Sequence, residues 1–166
     1  EFPKRVPLDG NLMTIEIYNK TSIEVFNELK LTENSYLVDV RSDQELDSKG
    51  VVDLSETSCE VIYCEWPISQ KTNKNQDFSE RLFQRIDLDD VTTLYFLCAA
   101  GVRSHEAAKQ ARSKMKDLGH RIDFVNVSDG FEGTVTNIFN FGQRNGWKQS
   151  GLPWCWFDKF ATGERA

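Results

Sequence analysis

Thr92-Thr93-Leu94-Tyr95-Phe96-Leu97-Cys98-Ala99-Ala100-Gly101-Val102-Arg103-Ser104 is the stretch of this chain that carries the most structural information. Residues 92–97 have the composition of a β-strand. Cys98 follows at the strand's carboxyl end, and the turn after it is built from small residues up to Gly101. A helix is expected from near Ser104, because Ala107, Ala108, Ala111, Met115 and Leu118 fall on one stripe and Gly119 ends it.

Working outward, the same alternation repeats. Tyr36 to Val40 is a short, nearly continuous apolar run, the pattern of a strand buried on both faces of a parallel sheet. Val61 to Cys64 and Asp123 to Val127 read as further buried strands, and Thr14 to Ile17 as a short first one. Between them lie helical segments. One starts at Thr21, with Glu24 completing a capping box and Ile23, Phe26 and Leu29 forming its apolar face. Ser42 to Ser48 is a short charged helix closed by Gly50. Phe78 to Ile86 places Phe78, Leu82, Phe83 and Ile86 on one side. Strands alternating with helices through short turns predict an α/β fold, a parallel five-stranded sheet with helices on both faces. No repeat or low-complexity linker marks a second domain.

At 166 residues the chain suits one domain with a full hydrophobic core. Residues 1–12, with Pro3, Pro7 and the Asp9-Gly10-Asn11 turn signal, read as a leader or loosely ordered arm, and residues 13–166 as the domain. The net charge of −6 argues against nucleic acid and anionic membranes as partners. No apolar run approaches the roughly 18 residues of a spanning helix, and no secretory pattern opens the chain. Cys59, Cys64, Cys98 and Cys155 form no Cys-x-x-Cys pair and read as reduced thiols of a cytoplasmic protein. Cys59, Cys64 and Cys155 are expected to be small buried hydrophobes. Only Cys98 and His105 lie close together in sequence, and His120 stands apart. No metal site is expected.

In open α/β sheets, ligands bind beyond the carboxyl ends of the strands, which is where Cys98 falls. The small residues Ala99, Ala100 and Gly101 let backbone N–H groups converge into an anion-binding nest. The following helix adds its positive end and Arg103 adds a fixed charge. All three favour the Cys98 thiolate. A thiolate so placed can take an electrophilic sulfur as a persulfide and yield it to a second nucleophile.

The segment Leu97 to Ser104 resembles the active-site loop of rhodanese-like domains. Leu37-Val38-Asp39-Val40-Arg41 followed by Glu45, then Asp129-Gly130-Phe131-Glu132-Gly133, and finally Asn145-Gly146-Trp147-Lys148 with Gly151-Leu152-Pro153-Trp154, are similar to that family's other motifs in the same order. The resemblance spans about Thr14 to Trp154. It implies a rhodanese-like α/β fold and transfer of a sulfane sulfur from a donor such as thiosulfate to a thiol or cyanide, with no cofactor. It implies Cys98 as nucleophile and the backbone amides of Ala99, Ala100, Gly101, Val102 and Arg103 as the cradle that binds substrate. Many members carry a cation in the two positions after the cysteine. Here those positions are Ala99 and Ala100, which shifts the expected donor from thiosulfate toward a persulfide, small or protein-bound.

Asp39 and Arg41 are expected near the loop, as a structural ion pair with Glu45 as a further partner in preference to a substrate contact. Arg103 either faces the donor or braces the loop. Ser104 is expected to be a helix N-cap, and His105 an exposed helix residue. Glu65, Trp66 and the C-terminal tryptophans are expected to pack over the core or rim the pocket. Two other functions are weighed. A cysteine phosphatase places five residues between cysteine and arginine. The four between Cys98 and Arg103 make a loop too tight for a phosphoryl group. A persulfide relay or interaction module would carry the same loop without efficient turnover.

Overall fold

The computed structural model of the protein describes residues 16–68, 75–116, 121–134 and 145–158. Its elements run β1 (Tyr18–Lys20), α1 (Ser22–Leu29), β2 (Ser35–Asp39), α2 (Asp43–Lys49), β3 (Val51–Val52), β4 (Glu60–Tyr63), α3 (Phe78–Phe83), β5 (Thr93–Leu97), α4 (Val102–Lys116), β6 (Asp123–Val127) and β7 (Trp154–Cys155). Five strands form a sheet in the order β1-β6-β5-β2-β4, and every pairing in it is parallel. The predicted fold class is the observed one. Among the described residues no helix is long and apolar enough to cross a membrane.

Strand alternation divides the core. Leu94 and Phe96 of β5, with Val38 and Phe124 from its neighbours, pack against Phe78 and Leu82 of α3 and Ala107, Ala108, Ala111 and Met115 of α4. Tyr95 and Leu97 point the other way, with Leu37 and Val125, onto Val25, Phe26 and Leu29 of α1 and onto Phe131 and Trp147. Successive side chains on a strand face opposite sides, so each central strand contributes apolar side chains to both layers.

Several expectations are corrected. The first described strand is Tyr18–Lys20, where β6 pairs Tyr18 with Val125 and Lys20 with Val127; of the expected strand Thr14 to Ile17, the described Glu16 and Ile17 precede it. Thr14 and Ile15 lie outside the described residues, as do residues 1–12 and Met13. Thr21 caps α1 with the predicted box to Glu24, yet Ile23 is half exposed and Val25 takes its place in the core. α3 ends at Phe83, and Ile86 is buried from the turn that follows. β4 is an edge strand with an outer face only half covered. The antiparallel pair of β3 with β7, Val51 opposite Cys155 and Val52 opposite Trp154, has no counterpart in the sequence reading. Two residues per strand are too few to show a period. Leu118, Gly119 and His120 lie outside the described residues.

Candidate active site

Cys98 is the first residue after β5 and is almost fully buried, at 1 % exposure. Its Sγ accepts the N–H of Gly101 at 3.1 Å and lies 3.1 Å from Ser104 Oγ. Gly101 adopts φ +87° and packs against the Ser128 carbonyl. That left-handed turn lets the chain double back so that its amide meets the sulfur three residues earlier. The carbonyls of Cys98 and Ala99 face away from the turn, accepting from Phe131 N at 2.8 Å and from Glu132 N and Gly133 N at 3.0 and 3.2 Å. The turn after β6 thus props the loop from behind. Gly130 adopts φ +67°, and a Cβ on it would strike the Ala99 carbonyl.

The other predicted positions surround this turn. Ala99 and Ala100 are half buried and Val102 is exposed. α4 begins at Val102, so its free N-terminal amides start four residues from the sulfur. Ser104 is therefore inside the helix and is not its N-cap. The tight turn at Gly101 brings helical geometry on earlier than the composition indicates. His105 is about one-third exposed and lies in an open depression with Ala100, Gly101, Val102, Asn19 and Asn126.

Asp39 and Arg41 form the expected structural ion pair, and only the place of Glu45 differs. Arg41 donates to both carboxylate oxygens of Asp39, with Nη2 to Oδ2 at 2.7 Å, and to the Gly50 carbonyl at 2.9 Å. Both side chains are completely buried, and the guanidinium stacks on Phe131 at 4.2 Å. Asp39 is in register with Leu97, so alternation sends its side chain to the sheet face opposite Phe96. Glu45 does not join this pair. It takes Arg103 instead, in two parallel hydrogen bonds of 2.7 Å, while also accepting from Ser42 N and Oγ as the capping box of α2. Burial alone would raise the Glu45 carboxyl. The Arg103 and Ser42 hydrogen bonds outweigh it and hold the group at about 2. Arg103 thus braces the start of α4 against the start of α2.

Asn126 belongs to the site, although no motif in the sequence marks it. It is the one amide in the apolar run of β6. Its Oδ1 accepts from Ser104 Oγ at 2.6 Å, and its Nδ2 donates to Gly101 O and Asn19 Oδ1, both at 3.0 Å. Asp129 was noted only within a motif. Buried, it accepts from Ser22 N, Ser22 Oγ and Gly146 N, tying α1 and the C-terminal segment to the turn behind the loop.

Of the other cysteines, Cys59 and Cys64 are buried as expected, but Cys155 is exposed on β7. Burial pushes the Cys64 thiol up despite the nearby Arg81 and Arg85, which disfavours it as a nucleophile. Trp147 is fully buried, and Trp66 and Trp154 are partly buried against the two core layers.

A cysteine on a glycine turn between a central parallel strand and a helix, in a five-stranded sheet covered on both faces, is the rhodanese-like architecture. No model of a known protein family matches the chain. It is 34% identical over 140 residues to an uncharacterized protein of Rickettsia prowazekii (strain Madrid E), covering 83% of this chain and 97% of that protein. It is 30% identical to one of Rickettsia conorii, covering 84% and 98%. The crystal structure of Rv0390 from M. tuberculosis superposes with a TM-score of 0.64 at 33% identity, covering 84% of this chain and 97% of that one. The chain belongs to the family of these proteins. The solution structure of the polysulfide-sulfur transferase homodimer from Wolinella succinogenes shares the fold, with a TM-score of 0.52 at 16% identity over 89% of this chain and 85% of that one.

Proposed function

We propose that the protein is a sulfurtransferase in which Cys98 carries the sulfur. The Cys98 thiolate attacks the outer sulfur of a donor persulfide. The bond between the donor's two sulfurs breaks, its electron pair leaves on the donor thiolate, and Cys98 becomes a persulfide. An acceptor, a thiol or cyanide, then attacks the outer sulfur and releases the Cys98 thiolate. The observation that carries this reading is the hydrogen bond from Gly101 N to Cys98 Sγ at the mouth of α4, a fixed donor where negative charge sits on sulfur. The name of the Wolinella neighbour supports the same chemistry. The burial of Cys98 and the four-residue spacing to Arg103 suit one added sulfur atom and not a tetrahedral phosphoryl group.

The donor is a persulfide in preference to thiosulfate. Two alanines follow the cysteine, and Arg103, the cation nearest along the loop, is engaged at both ends of its fork by Glu45. An anionic donor would have to compete with that carboxylate. The test is thiocyanate release by cyanide with thiosulfate or with a small-thiol persulfide as donor. Turnover with the persulfide at least tenfold faster, and none in Cys98→Ala, is expected. Thiosulfate as the better donor would overturn the donor assignment, and turnover in Cys98→Ala the assignment of the nucleophile.

A further inference from the structure

We infer that Asn126 is a positioning residue that acts on Cys98 through the hydroxyl of Ser104. The inference rests on Cys98 being the reacting sulfur. The direction of each hydrogen bond in the chain follows from chemistry. A carbonyl only accepts, so the atom of Asn126 that faces Gly101 O must be its NH2 group, and the same group serves Asn19 Oδ1. The amide is thereby fixed with Oδ1 toward Ser104. Ser104 has one hydrogen, and at 2.6 Å it goes to Asn126 Oδ1. What Ser104 turns toward Cys98, 3.1 Å away, is then a lone pair. That arrangement suits a thiol, whose S–H donates to Ser104 Oγ while Gly101 N–H donates to the sulfur.

Ser104 and Asn126 are buried, and in a buried hydrogen-bond chain each hydrogen counts. When Cys98 gives up its proton, the lone pair of Ser104 faces negative sulfur. Relief comes when the hydroxyl turns from Asn126 to Cys98, at the expense of the bond to Oδ1. Cys98 and Asn126 therefore compete for a single hydrogen. In the resting protein Asn126 holds it, so the amide restrains the nucleophile until charge develops on the sulfur. The Arg103 charge acts on Cys98 through space and is the same in every Asn126 and Ser104 variant. Arg103 is held by Glu45, and Arg41 by Asp39.

The test is the alkylation rate of Cys98 by iodoacetamide at fixed pH, read at that residue by peptide mass. The variants are Asn126→Ala and Asn126→Val, each in the wild-type and the Ser104→Ala background. The valine variant suits a strand position should the alanine variant fold poorly. Freeing the hydroxyl supplies one hydrogen bond to a charged sulfur, so each variant should speed alkylation by about tenfold in the wild-type background. In the Ser104→Ala background there is no hydroxyl to free, and neither should change the rate. A purely structural role would alter both backgrounds alike. Equal effects in the two backgrounds, no change, or a slower rate in the wild-type background would each overturn the inference. Alkylation reports on the sulfur whether or not it accepts sulfur from a donor, so failure here and failure of the sulfurtransferase reading are separate results.

Discussion

At Gly101 the backbone turns with φ +87°, and a Cβ placed there would lie 2.1 Å from the Ser128 carbonyl oxygen. Ser128 cannot give, since the contacts are all to its backbone. Gly101→Ala should therefore combine a left-handed penalty with a steric clash and lower stability by about 2–4 kcal/mol, measured by urea denaturation. It should also move the amide off Cys98 and slow sulfur uptake by more than its loss of stability explains. Uptake at the wild-type rate would show that the Gly101 N–H is dispensable. The sequence made Cys98 and Gly101 legible because their residue types are unusual at a strand end and in a turn. Asn126 is not legible in the sequence, because an amide in a strand looks like any polar interruption until its partners are known. Ser104 reads as a cap in the sequence because nothing in its neighbours shows that the helix begins at Val102.

The contact between α2 and α4 turns on one carboxylate. Glu45 closes the capping box of α2 and grips Arg103 of α4, and it is held at about 2 against an ordinary value of 4.5. A folded-state value below the unfolded one means that its stabilisation is complete above about pH 4.5. It is lost as the pH falls toward 2. With part of the group in solvent, screening reduces the contribution to about 1–2 kcal/mol. Glu45→Gln should remove that amount at pH 7 and flatten the acid limb of stability between pH 4.5 and 2, followed by urea midpoints across that range. An unchanged acid limb would assign the group no part in it. The sequence pointed to Glu45 but matched it with Arg41. Only the register of β2 against β5 shows that Asp39 and Arg41 turn to the other face, and register depends on pairing partners distant in the chain.

Over the whole molecule, the fold was readable because each layer announces itself locally. Apolar runs at Tyr36 to Val40, Thr92 to Leu97 and Asp123 to Val127 became the three central strands, shifted by a residue at most in their bounds. Where the elements are short, as in β1, β3 and β7, tertiary pairing and not composition decides the assignment. The two-layer core and the buried braces at Asp129 and Asp39 hold the Cys98 turn in one place. The central claim is that this rigid frame presents a sulfur that accepts another sulfur. Intact mass after incubation with a small-thiol persulfide tests it most directly. The account predicts a gain of about 32 Da, reversed by cyanide and absent from Cys98→Ala. A protein that gains no mass, or gains it equally without Cys98, would contradict it.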